Sequence, residues 1–251
     1  MGTKERRERE RAAREQRFLQ AARTQIREQG LLALQMAPVA RACDYATGTL
    51  YQHFASKEDL LLALCAEQAA KRVEILLRAG RWEANSRDRM FALVTGDMLF
   101  ALASPDHFRL TQYVFTEVVW RAASECRRQA VLDAHEPIGA LVGGIVHDAI
   151  SCGDLDARGR APLELAIGQW SMTIGMHTLV HAEGVLEFFH LHEPYPMLLR
   201  HVQLHLNGLG WKPLLDPFDE QRLQEKIDQV CATLYPDLER AGPVTIAGTG
   251  D

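Results

Sequence analysis

No run of apolar residues in this 251-residue sequence approaches the roughly 18 that a membrane-crossing helix needs, so no membrane partner is expected. The first residues are a mixed Arg/Glu block. A secretory leader would set a short basic start before an apolar core, so the chain is read as cytoplasmic. Cysteine is scarce and unpatterned. Cys43, Cys65, Cys126, Cys152 and Cys231 are odd in number, widely spaced and without a CxxC pair, so neither a disulfide framework nor a zinc ribbon is indicated. Aromatics make up 7% of the chain. Gly and Pro are scattered between long stretches rich in Ala, Leu, Glu, Arg and Gln, a composition that favours helix. An all-α protein is expected.

There is also no general excess of positive charge, since the formal net charge is −5. Its distribution is uneven: residues 1–60 carry +3 and the remainder −8. A positive end on an acidic body suits a chain that offers one end to phosphates. Seven of the eleven cations in that end fall within KERRERERAAREQR, whose interleaved glutamates equally fit a solvated, ion-paired first helix.

The chain from Arg14 to Leu77 divides into four helical pieces. Phe18, Leu19, Ala22 and Ile26 form one apolar stripe that stops at Gly30. A short piece from Gln35 to Cys43 follows, with Met36, Val39, Ala40 and Cys43 inward and Pro38 in its first turn, where a missing N–H matters little. After Asp44-Tyr45-Ala46 a third piece runs from Thr47 to His53 and buries Leu50. Ser56 then caps a long helix from Lys57 to about Arg78, with Asp59 three positions on in place of the usual Glu or Gln.

Two short helices joined by a tight turn and braced by a third are the parts of a helix-turn-helix unit. The run VARACDYATGTLYQHFASKEDLL resembles the signature of the TetR-type (TetR/AcrR) transcriptional regulators. It supplies Val39-Ala40, Gly48-Thr49-Leu50-Tyr51, Phe54, Ser56-Lys57-Glu58 and Leu60 at matching spacing. The resemblance implies an amino-terminal three-helix DNA-binding domain and a larger carboxyl-terminal helical domain for ligand binding and dimerisation. The boundaries expected are a charged arm or helix extension over 1–13, the helix-turn-helix domain over 14–60 continuing into a connecting helix over 57–78, the ligand-binding and dimerisation domain over 79–240, and a loose tail over 241–251.

By the same resemblance Tyr51 and Lys57 contact the DNA backbone, while Thr47, Gln52 and His53 are candidates for base or phosphate contact. Thr49 offers a hydroxyl. Gly48, which costs about 1 kcal/mol relative to Ala within a helix, allows close approach. Gln35, a further candidate for DNA contact, stands where the family usually has Thr. The turn also departs from the family's Gly-Val-Ser: Asp44 tolerates a left-handed conformation almost as Gly does, and Ala46 removes a serine N-cap and phosphate donor.

Further on, helices are expected over 87–103, 105–123, 125–151 with Pro137 inside, 162–183, 196–207 and 219–235. The family resemblance places the dimer interface on 162–183 and 195–208. A pocket for a small hydrophobic or aromatic effector is assigned to Phe100, Phe115, Trp120, His147, Trp170 and Met176. Histidines crowd the segment 177–205. His177 and His181 share a helical face at the i, i+4 spacing that a transition metal can use. The expected function is a ligand-responsive DNA-binding regulator, a repressor acting on a pseudo-palindromic operator as a homodimer. Its partners are then double-stranded DNA, a second copy and the effector, with no cofactor. No nucleophile, base and orienter constellation is visible, so it is not read as an enzyme. Two alternatives stand beside this: a helical metal- or haem-binding protein built on the 177–205 histidines, and an adaptor of the same fold with weakened DNA binding.

Overall fold

Among residues 2–238, which the computed structural model describes, the ordered elements are helices with no strand. The expected tail over 241–251 lies outside them. In chain order the α-helices are α1 (Thr3–Gln29), α2 (Met36–Ala42), α3 (Thr47–Tyr51), α4 (Lys57–Arg81), α5 (Ser86–Ala103), α6 (Pro105–Val114), α7 (Glu117–Ala122), α8 (Glu125–Ser151), α9 (Pro162–His181), α10 (Val185–Phe188), α11 (Pro194–Gly208) and α12 (Glu220–Leu234). They form two compact units. Among the described residues, the first joins 2–69 with Asp106–Ala134, and the second joins Ala70–Pro105 with 135–238. The sequence expectation kept everything after residue 79 in one domain; α6, α7 and the start of α8 instead group with the amino-terminal unit.

The first unit's core contains the periodic residues read from the sequence: Phe18, Leu19 and Ala22 of α1, Met36, Val39 and Ala40 of α2, Leu50 of α3, Phe54, and the Leu60–Leu64 run of α4. Leu110, Val114, Val119, Ala123 and Val131 complete it from α6, α7 and α8. Each fully buried Leu or Phe contributes roughly 1.5–3 kcal/mol. The expected 1–13 arm is helical from Thr3, so it is an extension of α1.

Helix starts follow capping chemistry. The Ser56 hydroxyl accepts the Asp59 N–H at 3.1 Å, while the Asp59 carboxylate accepts the N–H of Ala55 at 3.2 Å. The shorter acid thus reaches one residue further back than the Glu of a standard box. The single helix expected over 105–123 is broken after Val114. Thr116 donates its hydroxyl proton to the Tyr113 carbonyl at 2.7 Å and adopts an extended conformation at the start of α7, as a threonine competing with the helical ladder does. The sequence reading also missed α10. It is set off by Gly184 at φ +80° and followed by His190 at φ +56°.

The second unit packs α5 against α9, α11 and α12. Phe91, Val94, Met98 and Phe100 meet Leu198, Leu199, Val202 and Leu206 in its core. Arg87 is fully buried there. Its guanidinium donates to the Gln203 side chain and to the Trp211 carbonyl, which gives its N–H groups acceptors inside the bundle. Burial pushes its pKa down to about 10.

Candidate nucleic-acid interface and ligand cavity

In the first unit, α2, the turn Cys43–Ala46 and α3 form the helix-turn-helix. Asp44 sits at φ +61°, taking the left-handed conformation expected of it. Its neighbour Tyr45 donates its backbone N–H to the Ala40 carbonyl at 3.0 Å. The Tyr45 ring lies edge-on to Phe18 at 5.4 Å, with the Arg14 guanidinium 5.6 Å from its centroid. The unusual turn is therefore anchored by an aromatic contact with α1. Ala46 is the N-cap of α3 in an extended conformation, and no side chain caps it.

Six of the eight expected DNA-contacting residues lie at least partly open to solvent. Gln35 is the exposed N-cap of α2, with no capping bond from its amide. Gly48, Tyr51 and Gln52 are exposed, and Thr47 and Thr49 half-buried. A Cβ placed on Gly48 would meet nothing within 4 Å, so no neighbour in the chain requires a glycine there. Lys57 is half-buried, its ammonium donating to the Leu32 carbonyl at 3.2 Å. Two of its three protons remain for another acceptor.

His53 is the exception. It is 8% exposed, its ring lies edge-on to Phe18 at 5.4 Å, and its Nδ1 stands 3.7 Å from the Glu15 carboxylate. Burial holds its pKa below the ordinary histidine value, with Glu15 opposing. The two final residues of the YQHF run thus both turn inward, because the chain leaves α3 at Gln52. The expectation that His53 touches DNA is corrected: it packs α3 onto α1.

Sequence reasoning missed Arg127, on α8. Its guanidinium donates to the His53 carbonyl at 3.1 Å, pairs with Glu15 at 2.9 Å and lies 4.9 Å from the Phe54 ring centroid. Nothing in its local sequence marks it, since the partners lie in α1 and in the segment between α3 and α4.

The second unit contains a cavity of about 280 Å³ walled by α4, α5, α8 and α9. Leu76, Met90, Val94, Ile138, Val142 and Trp170 are among its apolar lining residues, and Arg72, Asp97, His135, Gln169 and Thr173 are its polar ones. Of the expected lining residues only Trp170 is there. Phe100 and Met176 are buried in the second unit's core. Phe115 and Trp120 stack on each other at 5.2 Å in the first unit, where helices α6 and α7 belong. His147 is exposed on α8. Aromatic identity alone did not distinguish a cavity wall from bundle filling.

Arg72 and Asp97 close on each other in a buried two-pronged pair, Nε to Oδ1 at 2.7 Å and Nη2 to Oδ2 at 2.9 Å. Such a pair satisfies both charges in a place where either alone would be costly. The Thr173 hydroxyl donates to the Gln169 carbonyl at 2.9 Å. Neither atom of the Gln169 side-chain amide has a hydrogen-bond partner among the described residues, although the residue is only 2% exposed.

The histidine pair is corrected as well. His177 is fully buried, with Nδ1 at 3.3 Å from the Tyr195 hydroxyl. Burial pushes its pKa down to about 4, against the pull of Asp97 and with the push of Arg72 and His181. Tyr195 is pushed up to about 12, again by burial. No group of three His, Cys, Asp or Glu side chains capable of holding a metal occurs among the described residues. The i, i+4 spacing reflects one histidine that α9 packs against α11 and one at the helix end.

No described helix is long and apolar enough to cross a membrane. Residues 18–64 match the family of bacterial regulatory proteins called tetR. The fatty acid metabolism regulator protein of Bacillus subtilis (strain 168) is 23% identical over 138 residues, 55% of this chain and 69% of that protein. Among solved structures, a bacterial regulatory protein in the tetR family from Rhodococcus RHA1 superposes with a TM-score of 0.58 at 20% identity, over 79% of this chain and 97% of that one. The transcriptional regulator FadR from Bacillus subtilis, in complex with stearoyl-CoA, gives 0.55 at 16% identity, over 80% and 99%. Residues 18–64 thus carry the amino-terminal signature of the tetR family of bacterial regulatory proteins, and the chain shares its helical fold, over most of its length, with solved structures from that family.

Proposed function

We propose that the chain is a ligand-responsive repressor that binds a pseudo-palindromic operator as a homodimer. The observation that carries this reading is the open amino-terminal face of α3. Gly48 has free space around it, Thr47 and Thr49 flank it, and Tyr51 is exposed. A duplex fills such a face: the glycine permits close approach, the hydroxyls reach base edges or phosphates, and Tyr51 and Lys57 hold the backbone. Gln35 at the start of α2 and Gln52 after α3 extend it. The left-handed Asp44 supports a working turn, which favours a DNA reader over an adaptor of the same fold.

Dimerisation through α9 and α11 is supported by large apolar side chains that these helices leave exposed, namely Leu163, Ile167, Trp170, Leu179 and Leu204. Two recognition helices then enter successive major grooves about 34 Å apart. An effector in the α4, α5, α8 and α9 cavity favours a form of the dimer with another spacing, and release is limited by its differential affinity for the two forms. That one solved relative holds stearoyl-CoA supports an effector that is apolar in part.

The test is selection from random duplex pools, with sedimentation equilibrium on the same preparation. A palindromic site enriched by a dimer is expected. Enrichment of no sequence at low salt would sink the reading.

A further inference from the structure

The cavity's polar atoms differ in what they have left to offer. Arg72 and Asp97 are committed to each other at 2.7 and 2.9 Å, and the Thr173 hydroxyl is committed to a backbone carbonyl. Gln169 has an intact set of unused donors and acceptors: its amide is buried, and neither Oε1 nor Nε2 is bonded within the described chain. A buried primary amide without partners has surrendered its water hydrogen bonds for nothing, and native proteins rarely keep such a group without a reason. On α9 the residue belongs to the buried stripe Ala166, Gln169, Thr173, Met176. Leucine or methionine would fill that place with no loss. The amide is explained by a molecule that occupies the cavity it lines.

We propose that this cavity takes a compact, uncharged, largely apolar molecule with one neutral hydrogen-bonding head, a hydroxyl or carbonyl group, that pairs with the Gln169 amide. The inference rests on the effector reading above and narrows it to a chemical class. Charge decides the head. Arg72 and Asp97 sum to zero, so a carboxylate or ammonium entering beside them finds no uncompensated opposite charge and loses its hydration. An amide offers both N–H donors and an oxygen acceptor, which suits a hydroxyl that needs one of each. Size decides the body. A volume of about 280 Å³ falls just below the range of most ligand pockets, roughly 300–1,000 Å³. Leu76, Met90, Val94, Ile138, Val142 and Trp170 surround it with apolar surface.

The test titrates the full chain calorimetrically with three probes of one shape: para-ethylphenol, para-ethylbenzoate and para-ethyltoluene. The phenol should bind the parent roughly tenfold more tightly than either analogue, and release operator DNA in the same order. In Gln169→Leu the phenol's advantage over para-ethyltoluene should disappear, while para-ethyltoluene binds as it does to the parent. That last result shows the cavity intact, and unliganded thermal stability should not fall. Benzoate binding as tightly as the phenol, or an undiminished phenol preference in Gln169→Leu, overturns the neutral-head inference and leaves the effector reading standing. Failure of all three probes to bind overturns both.

Discussion

The Asp59 carboxylate accepts the backbone N–H of Ser124 at 2.7 Å and the Ser124 hydroxyl at 3.0 Å, across 65 positions of sequence. The same carboxylate accepts the Ala55 N–H before α4. One buried side chain therefore closes the start of α4 and the approach to α8. Asp59→Ala leaves three donors without their acceptor and is expected to destabilise the protein by about 2–4 kcal/mol, with Asp59→Asn recovering part of it. Urea denaturation measures this. A loss under about 0.5 kcal/mol would mean that water replaces the carboxylate at little cost.

Tyr51 and His53 are two residues apart and face opposite ways, which gives a paired experiment. Tyr51 is half exposed, so Tyr51→Ala should weaken operator binding about tenfold and change stability by less than about 1 kcal/mol. His53→Ala should do the reverse, costing about 1–3 kcal/mol of stability through lost packing on Phe18. Lys57→Ala should reduce the slope of log affinity against log salt by about one unit. Fluorescence anisotropy over a salt series, beside thermal melts, separates these outcomes. Normal operator binding by Tyr51→Ala would remove it from the interface.

The helix-turn-helix was legible because its signals are local. A 3.6-residue stripe, a capping serine and a turn residue suited to positive φ can all be read within a few positions, and Asp44 adopts the conformation its side chain allows. The inward turn of His53 was not legible, because it depends on where α3 ends and on Arg127, more than seventy residues away. The cavity failed for a related reason. Phe100, Met176 and Leu76 are equally apolar to a sequence reader, and only packing decides which of them borders empty space. The polar signal, Gln169 in a buried stripe, was present at the level of pattern. Attention to large aromatics passed over it.

His177 gives the stability a pH dependence of definite sign. Its pKa is near 4 in the folded protein because burial disfavours the charged ring, against about 6.5 in an unfolded chain. Between those values the unfolded chain binds more protons, so stability rises with pH and is lost as pH falls from 6.5 toward 4. At pH 5 this one group accounts for about 2 kcal/mol of loss relative to pH 7. Burial also lowers His53 and His205, which act in the same direction. Denaturation curves at several pH values for parent and His177→Phe should converge as pH falls. Parallel curves would show that His177 does not titrate differently in the folded state.

The Arg72–Asp97 pair offers a direct measure of what a buried charge pair does beside a cavity. Removing one partner strands the other charge in an apolar wall, so Arg72→Met and Asp97→Leu should each cost about 3–5 kcal/mol. The double variant replaces both charges by apolar groups and should fall within about 2 kcal/mol of the parent, with a coupling energy of several kcal/mol in the cycle. Additive single losses would instead mean that water reaches and screens the pair. Ligand binding adds a second readout. Asp97→Leu removes the carboxylate that Arg72 pairs with at the wall, so para-ethylbenzoate should gain on para-ethylphenol in that variant relative to the parent. A variant that breaks the pair without attracting the benzoate would show that the neutrality of the pair is not what sets the cavity's preference.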